Sequence, residues 1–352
     1  MIGDSAHKGN QLSANKEVKI MSRNTERRKP VGSKKKRNAV SYMIQGANKY
    51  FSDKYKNNST ASSYKKHFKQ YVVWCSDKYK CKTIDNCKKH IQDYVDYLVS
   101  NGKTPSTIHT YIAPICSYFD MNMGEIEKPS RCTSDYTRGR AKPNKYDKAD
   151  QQYDNERYAY VAEFQRMVGI RRAELKHLTF DCFVKDERGY DCILVKRGKG
   201  GKKQLQRILP EDVEAVKAYF TTPGDGRMFT ASQFSSHMDY HHLRAEQAKR
   251  AYQHYYARIH NTDGSLNDKE VQKLRSEIQH RWNKYNRDPK TNKAKPLPEM
   301  GGIYKLRGKN RELAIKNGLP VEYDRLCVLA TSIYHLSHWR SDVTIASYLL
   351  AV

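Results

Sequence analysis

Between about residues 41 and 125 apolar side chains recur at helical spacing. Tyr64, Phe68, Tyr71 and Val72 fall at i, i+4, i+7 and i+8, with Lys65, Lys66, His67 and Lys69 between them, which predicts a helix with one buried and one basic face. Ile91, Tyr94, Val95 and Leu98 repeat the stripe, and Asn101-Gly102 ends it as a helix C-terminus would. Thr104-Pro105 then opens another helix through Ile108, Tyr111, Ile112, Ile115 and Tyr118. The pattern predicts an all-α bundle whose aromatic residues form its core rather than platforms for stacked bases.

The rhythm breaks at residues 126–150, a polar, basic stretch with two prolines that reads as a linker. A second domain is expected over 151–352. In it a helix runs into Gly169, and a new one starts near Arg172 with Leu175 and Leu178 on its inner face. Cys192-Ile193-Leu194-Val195-Lys196 reads as a strand, Gly198-Lys199-Gly200-Gly201-Lys202 as a turn and Gln206-Arg207-Ile208-Leu209-Pro210 as the return strand, a β-hairpin. Met238 to Ala248 reads as the start of a helix. The fold expected is therefore mostly α with a small β-sheet.

Charge narrows the partners. Lys and Arg number 65 against 38 Asp and Glu, a formal net charge of +27. Solubility needs only about 2 to 8 for a small domain, so the excess points to a polyanion, and nucleic acid leads. An anionic membrane is less well supported, because no basic amphipathic helix with an aromatic apolar face is present. Residues 1–40 hold eleven Lys and Arg against three Asp and Glu and are expected to be a flexible basic arm on DNA phosphates. Aromatic residues make up 11%, too many for a disordered chain. No apolar run is long enough for a membrane span, and the first residues lack the apolar stretch of a secretory signal, so a soluble, cytoplasmic protein on DNA is expected. The eight cysteines form no C-x-x-C pair, which points to thiols in a reducing compartment and to no zinc site.

Candidate chemistry is spread over five segments. Arg171 stands at a helix junction, where backbone N–H groups also favour an anion. Lys199 sits between glycines at the hairpin tip, and the G-x-x-x-x-G-K-[ST] loop of nucleotide triphosphatases is absent. His241 and Arg244 share a helix face at i and i+3. Leu336-Ser337-His338-Trp339-Arg340 follows, then Tyr348. Each is weak alone. In this order, G-I-R-R-A-E-L, a Gly-Lys-Gly hairpin, H-H-L-R, L-S-H and a late Tyr, the chain resembles the tyrosine recombinase (phage integrase) family, most closely integrases of mobile elements. The 41–125 bundle is similar to that family's core-binding domain.

The resemblance implies an α+β catalytic domain over 151–352. Its catalytic set would be Arg171, Lys199, His241, Arg244, His338 and the nucleophile Tyr348, with Glu174 supporting Arg171. Lys202, Lys203 and Arg340 are expected on DNA. It implies no cofactor or metal, double-stranded DNA at a specific site as partner, a homo-tetramer on that DNA, and accessory DNA-bending factors. The two domains would clamp the duplex, the linker crossing the backbone.

Two departures stand out: L-S-H replaces L-G-H, and Arg244 and His338 are further apart than the family's usual spacing, which implies an insertion at about 252–300 for DNA or subunit contacts. Tyr304-Lys305-Leu306-Arg307 competes for the second arginine, but it has Tyr where Arg244 has His241. The chemistry is coherent without the family. A tyrosine oxygen attacks phosphorus and stores the phosphodiester energy in a covalent bond. A neutral imidazole such as His241 accepts its proton, guanidiniums bind the transition-state oxygens, His338 hydrogen-bonds the phosphate, and Lys199 protonates the leaving 5′-oxygen.

Overall fold

The computed structural model describes residues 38–56, 58–131, 156–198, 201, 203–221, 226–234, 238–288 and 290–351. Nearly all of the expected basic arm, most of the expected linker, and Lys199 and Lys202 lie outside them. The chain divides into two units, Met1–Pro129 and Ser130–Val352.

The first unit holds α1 (Ala39–Lys54), α2 (Asn58–Tyr79), α3 (Ile84–Lys88), α4 (Ile91–Ser100) and α5 (Pro105–Phe119). Local chemistry sets the ends. The Asn38 side chain accepts from Ser41 N at 2.9 Å to cap α1, and Thr104 accepts from Thr107 N with Pro105 in the first turn of α5. Between α4 and α5, Gly102 takes φ +66°, where a side chain would be strained. Phe68, Tyr71 and Val72 are fully buried, and Phe51 packs edge-on against Tyr64 and Phe68. Tyr64, Phe68, Tyr71, Tyr94, Tyr111 and Tyr118 belong to or pack against this core, while Tyr42 and Tyr97 are exposed.

The second unit begins with α6 (Glu156–Val168) and α7 (Arg172–Leu175). A sheet follows, β1 (Phe183–Lys185), β2 (Asp191–Val195) and β3 (Gln204–Arg207), antiparallel in that order, with Ile193 opposite Phe183 on one side and Gln206 on the other. Then come α8 (Val213–Ala218), α9 (Tyr240–Ile259) and α10 (Asp268–Tyr285). The pair β4 (Ile303–Lys305) and β5 (Glu322–Asp324) flanks α11 (Gly308–Lys316). After α12 (Arg325–Tyr334), α13 (Ser341–Thr344) runs into a π-helical turn, Ile345–Leu349. Helix α9 is central: α6, α10, α12 and the π turn all pack on it. The described chain is mostly helical with two small antiparallel sheets, and among the described residues no helix is long and apolar enough to cross a membrane.

The expected insertion at about 252–300 is not a separate body. Its first residues continue α9 to Ile259, and α10 buries Val271, Leu274, Ile278 and Trp282 in one cluster with Tyr255, Leu329 and Ile333. Charge ties it to the sheet as well. Glu277 of α10 pairs with Arg207 of β3 at 3.0 Å and Arg258 of α9 at 3.1 Å, and Asp186 pairs with Arg207 at 2.8 Å and Arg281 of α10 at 3.2 Å. Burial works against the Asp186 anion, but Arg207 and two backbone N–H groups outweigh it and hold the carboxyl below its usual range.

Candidate active site

The junction between α6 and α7 is held by its own backbone. Gly169 adopts φ +58°, and a Cβ there would meet the Gln247 side chain at 2.9 Å. Gln165 donates to the Ile170 carbonyl at 2.6 Å, and Gln206 donates to that of Val168. Arg171 therefore emerges from a fixed turn. Glu174, almost fully buried, accepts from Arg171 N at 3.1 Å and from its Nη1 at 2.6 Å, so one carboxylate fixes both main chain and guanidinium.

Asp239 caps α9 by accepting from His241 N and His242 N, both at 3.0 Å. One turn later Arg244 is buried. Its Nη1 donates to the Gly169 carbonyl and its Nη2 to the Leu336 carbonyl at 2.6 Å, joining the α6–α7 junction to the α12–α13 turn. No carboxylate lies within ion-pair distance of Arg244 among the described residues, and its Nε has no partner. Burial first, and then the neighbouring Arg171 charge, lower its pKa from the usual arginine value. Tyr348 and the more distant Glu174 charge oppose that lowering, and a buried cation held by carbonyls with no carboxylate in ion-pair distance attracts an anion.

The α12–α13 turn carries the last candidates. Ser337 and Trp339 both take positive φ, +51° and +60°, and His338 N donates to Ser332 O at 3.0 Å. Ser337 thus occupies the left-handed backbone region that glycine would hold without strain. Tyr348 sits in the π turn, and such turns widen a helix locally and cluster at functional sites. Its hydroxyl is 2.8 Å from His338 Nε2, its ring stacks on His241 with centroids 4.8 Å apart, and the Arg244 Cζ lies 5.6 Å from the ring centre. Residues from the α6–α7 junction, α9, the α12–α13 turn and the π turn therefore meet at one point.

Both expected histidines lie against Tyr348, each on a different part of it. His338, expected on the phosphate, is bonded to the Tyr348 oxygen. His241, expected as the proton acceptor, meets the ring face, with centroids 4.8 Å apart.

Other candidates separate clearly. Arg307 stands at the N-terminal end of α11 without a side-chain capping bond and is exposed. Tyr334 is fully buried under the Arg207 guanidinium, 3.7 Å from its ring centre, and burial pushes its pKa up. Arg340 is exposed and paired with Asp342 at 2.6 Å. Lys203 is exposed beside the site. The residues after the π turn fold back on their own chain, where Lys249 donates to the Ala351 carbonyl.

Two features went unread in the sequence. His335 is buried and bridges Gln247, at 2.9 Å from its Nδ1, and the Tyr255 hydroxyl, at 3.1 Å from its Nε2. Burial, then the Arg207 charge, hold its pKa well below the usual value, so it is neutral. The second is a cleft of about 1070 Å³ that opens at Arg171, Ser337 and His338. Val184, Leu194, Leu205 and Ile333 form its apolar walls, and Lys185, Lys203, Arg281, Arg287 and Lys295 line it with charge, with no acidic residue among the lining.

No family model matches the chain, and no curated protein matches it. Among solved structures, the chain is similar to XerA recombinase at 16% identity over 69% of this chain and 99% of that one, with a TM-score of 0.23, an overall likeness too slight to carry a conclusion.

Proposed function

We propose that this protein is a site-specific DNA recombinase that cuts and rejoins strands through a covalent 3′-phosphate link to Tyr348. One observation carries the reading: the Tyr348 hydroxyl rests on His338 while its ring rests on His241 and a buried arginine with no carboxylate partner. The order of motifs along the chain and its net charge of +27 support it.

In the proposed step the Tyr348 oxygen forms a bond to phosphorus and the bond from phosphorus to the 5′-oxygen breaks. His338 Nε2 takes the phenolic proton along the existing hydrogen bond, since a base must be within such reach of the proton it removes. Charge builds on the non-bridging oxygens, and Arg171, fixed by Glu174, and Arg244 stabilise it. Lys199, assigned by resemblance alone, protonates the leaving 5′-oxygen. Religation is the reverse, so neither ATP nor a hydrolysed bond is needed. Lys203 and Arg340 bind flanking phosphates, and Arg340 exchanges Asp342 for DNA. Four copies act on two DNA sites, with accessory bending factors where the ends are distant.

A pool of nicked duplexes with a randomised core tests this without knowledge of the site. The full chain should become covalently attached to a subset, without added divalent metal. Tyr348→Phe should bind the pool and attach to none. Arg171→Ala and Arg244→Ala should each slow attachment about a hundredfold or more. Unchanged attachment by Tyr348→Phe would overturn the proposal.

A further inference from the structure

We infer that the cleft beside the site holds a short unpaired stretch of DNA strand flanking the phosphate that Tyr348 attacks, and that the chain following α10 supplies its outer wall. This rests on the function proposed above.

Two observations converge. The cleft carries only positive charge, and Lys203, Arg287 and Lys295 have no carboxylate within ion-pair distance among the described residues, whereas Arg281 is engaged by Asp186 and by the Leu205 carbonyl. Charge left unpaired at the mouth, with the deeper charge already satisfied, is the arrangement for an incoming phosphate backbone. The walls are apolar and include the rings of Tyr285 and Trp339. A paired duplex keeps its base faces stacked inside, so aromatic and aliphatic walls gain contact only from bases that have left the stack, the combination used to hold single strands.

The wall is built rather than incidental. Trp282 donates its indole N–H to the Lys295 carbonyl at 2.8 Å, Arg287 donates to the Asn292 carbonyl at 2.8 Å, and Arg287 pairs with Ala294 in a β-bridge. Trp282 also packs edge-on against Trp339, centroids 5.7 Å apart, which links the wall to the turn bearing His338. Exchange requires the cut strand to part from its complement, and the cleft is lined in part by Arg171 and His338 of the proposed site.

The test uses the full chain and a fluorescent oligothymidylate of about eight nucleotides, with binding followed across a salt series. Arg287→Ala/Lys295→Ala should bind at least tenfold more weakly near physiological salt, and its slope of log K against log salt should be shallower by about 1.4, two phosphates at about 0.7 each. Tyr285→Ala should weaken binding about fivefold or more. The same changes should alter binding of a blunt duplex of equal length by less than twofold. With the unmodified chain, 5-iodouracil in the strand should crosslink to Tyr285 or Trp339, a readout independent of variant folding. Oligothymidylate binding unaffected by the double substitution, crosslinks confined elsewhere, or thymidine monophosphate competing as well per nucleotide as the strand would each overturn the inference. Covalent attachment at Tyr348 with no cleft binding would reject the cleft and leave the function standing. Cleft binding without attachment would reject the proposed function and, with it, the cleft's role beside a Tyr348-attacked phosphate, leaving only a single-strand binding site.

Discussion

Gly169 presents its carbonyl to Arg244, the Gln247 side chain fills the space a Cβ would need, and its φ of +58° suits no β-carbon. Gly169→Ala should therefore destabilise the protein by about 2 kcal/mol or more and slow strand cleavage beyond that loss, because the turn that aims Arg171 moves with it. Urea unfolding and attachment rates at a temperature where both proteins are folded would check this. His335 gives a pH prediction. In the unfolded chain it titrates near 6.5, whereas in the folded one it stays neutral to well below that. On acidification the unfolded state binds a proton that the folded state refuses, so the stability it contributes is complete above about pH 6.5 and is lost as pH falls. Burial shifts His254 in the same direction. Stability should drop between pH 6.5 and 5.5 by up to about 1.4 kcal/mol for each of the two groups, and His335→Gln should roughly halve the drop. A drop identical in both proteins would show that His335 does not titrate in this way.

At the scale of elements, α10 and the sheet are joined by carboxylates and guanidiniums that are nearly fully buried. Glu277 touches Arg207 and Arg258, and its side chain is 1% exposed. Glu277→Ala leaves Arg207 with one partner in place of two, and should reduce stability by about 3–5 kcal/mol in denaturant titration. Asp342→Ala breaks the exposed pair with Arg340 and should change it by less than about 1 kcal/mol.

This element also shows what the sequence carries and what it hides. The stripes of α2, α4 and α5 were readable because their buried faces are uniformly apolar, and the ends because Thr104-Pro105 and Asn101-Gly102 act locally. Helix α10 has a stripe too, Val271, Leu274, Ile278 and Trp282, but Glu277 and Arg281 share its buried side and blur the pattern. Strand β1, three residues long, offers no period to read. The candidate residues that meet around Tyr348 could be picked out as ordered motifs, since each stands in a short string of unlike residues. The contact of His338 with the Tyr348 hydroxyl and of His241 with its ring was not, because it depends on the π turn, which no local spacing marks. The cleft was not legible either, being assembled from the sheet, α10 and the segment after it, and the α12–α13 turn.

For the whole molecule, a net charge of +27 predicts DNA affinity that falls steeply with salt. If about 6 to 10 phosphates are contacted, affinity should fall by about 10³ to 10⁵ between 50 and 200 mM salt. Removal of residues 1–37, which precede the Asn38 cap of α1, should lower that slope and weaken binding while covalent attachment to short core duplexes persists. A slope unchanged by the removal would show that the segment does not bind phosphates.

On the proposed function, Tyr348 is the residue that becomes bonded to DNA. The most direct test is proteolysis of the trapped adduct followed by mass spectrometry of the nucleotide-bearing peptide. A phosphotyrosyl link at Tyr348, on the 3′ side of the cut, is the result expected. A link at Tyr334 or at any residue other than Tyr348, or a 5′-phosphate linkage, would contradict the account.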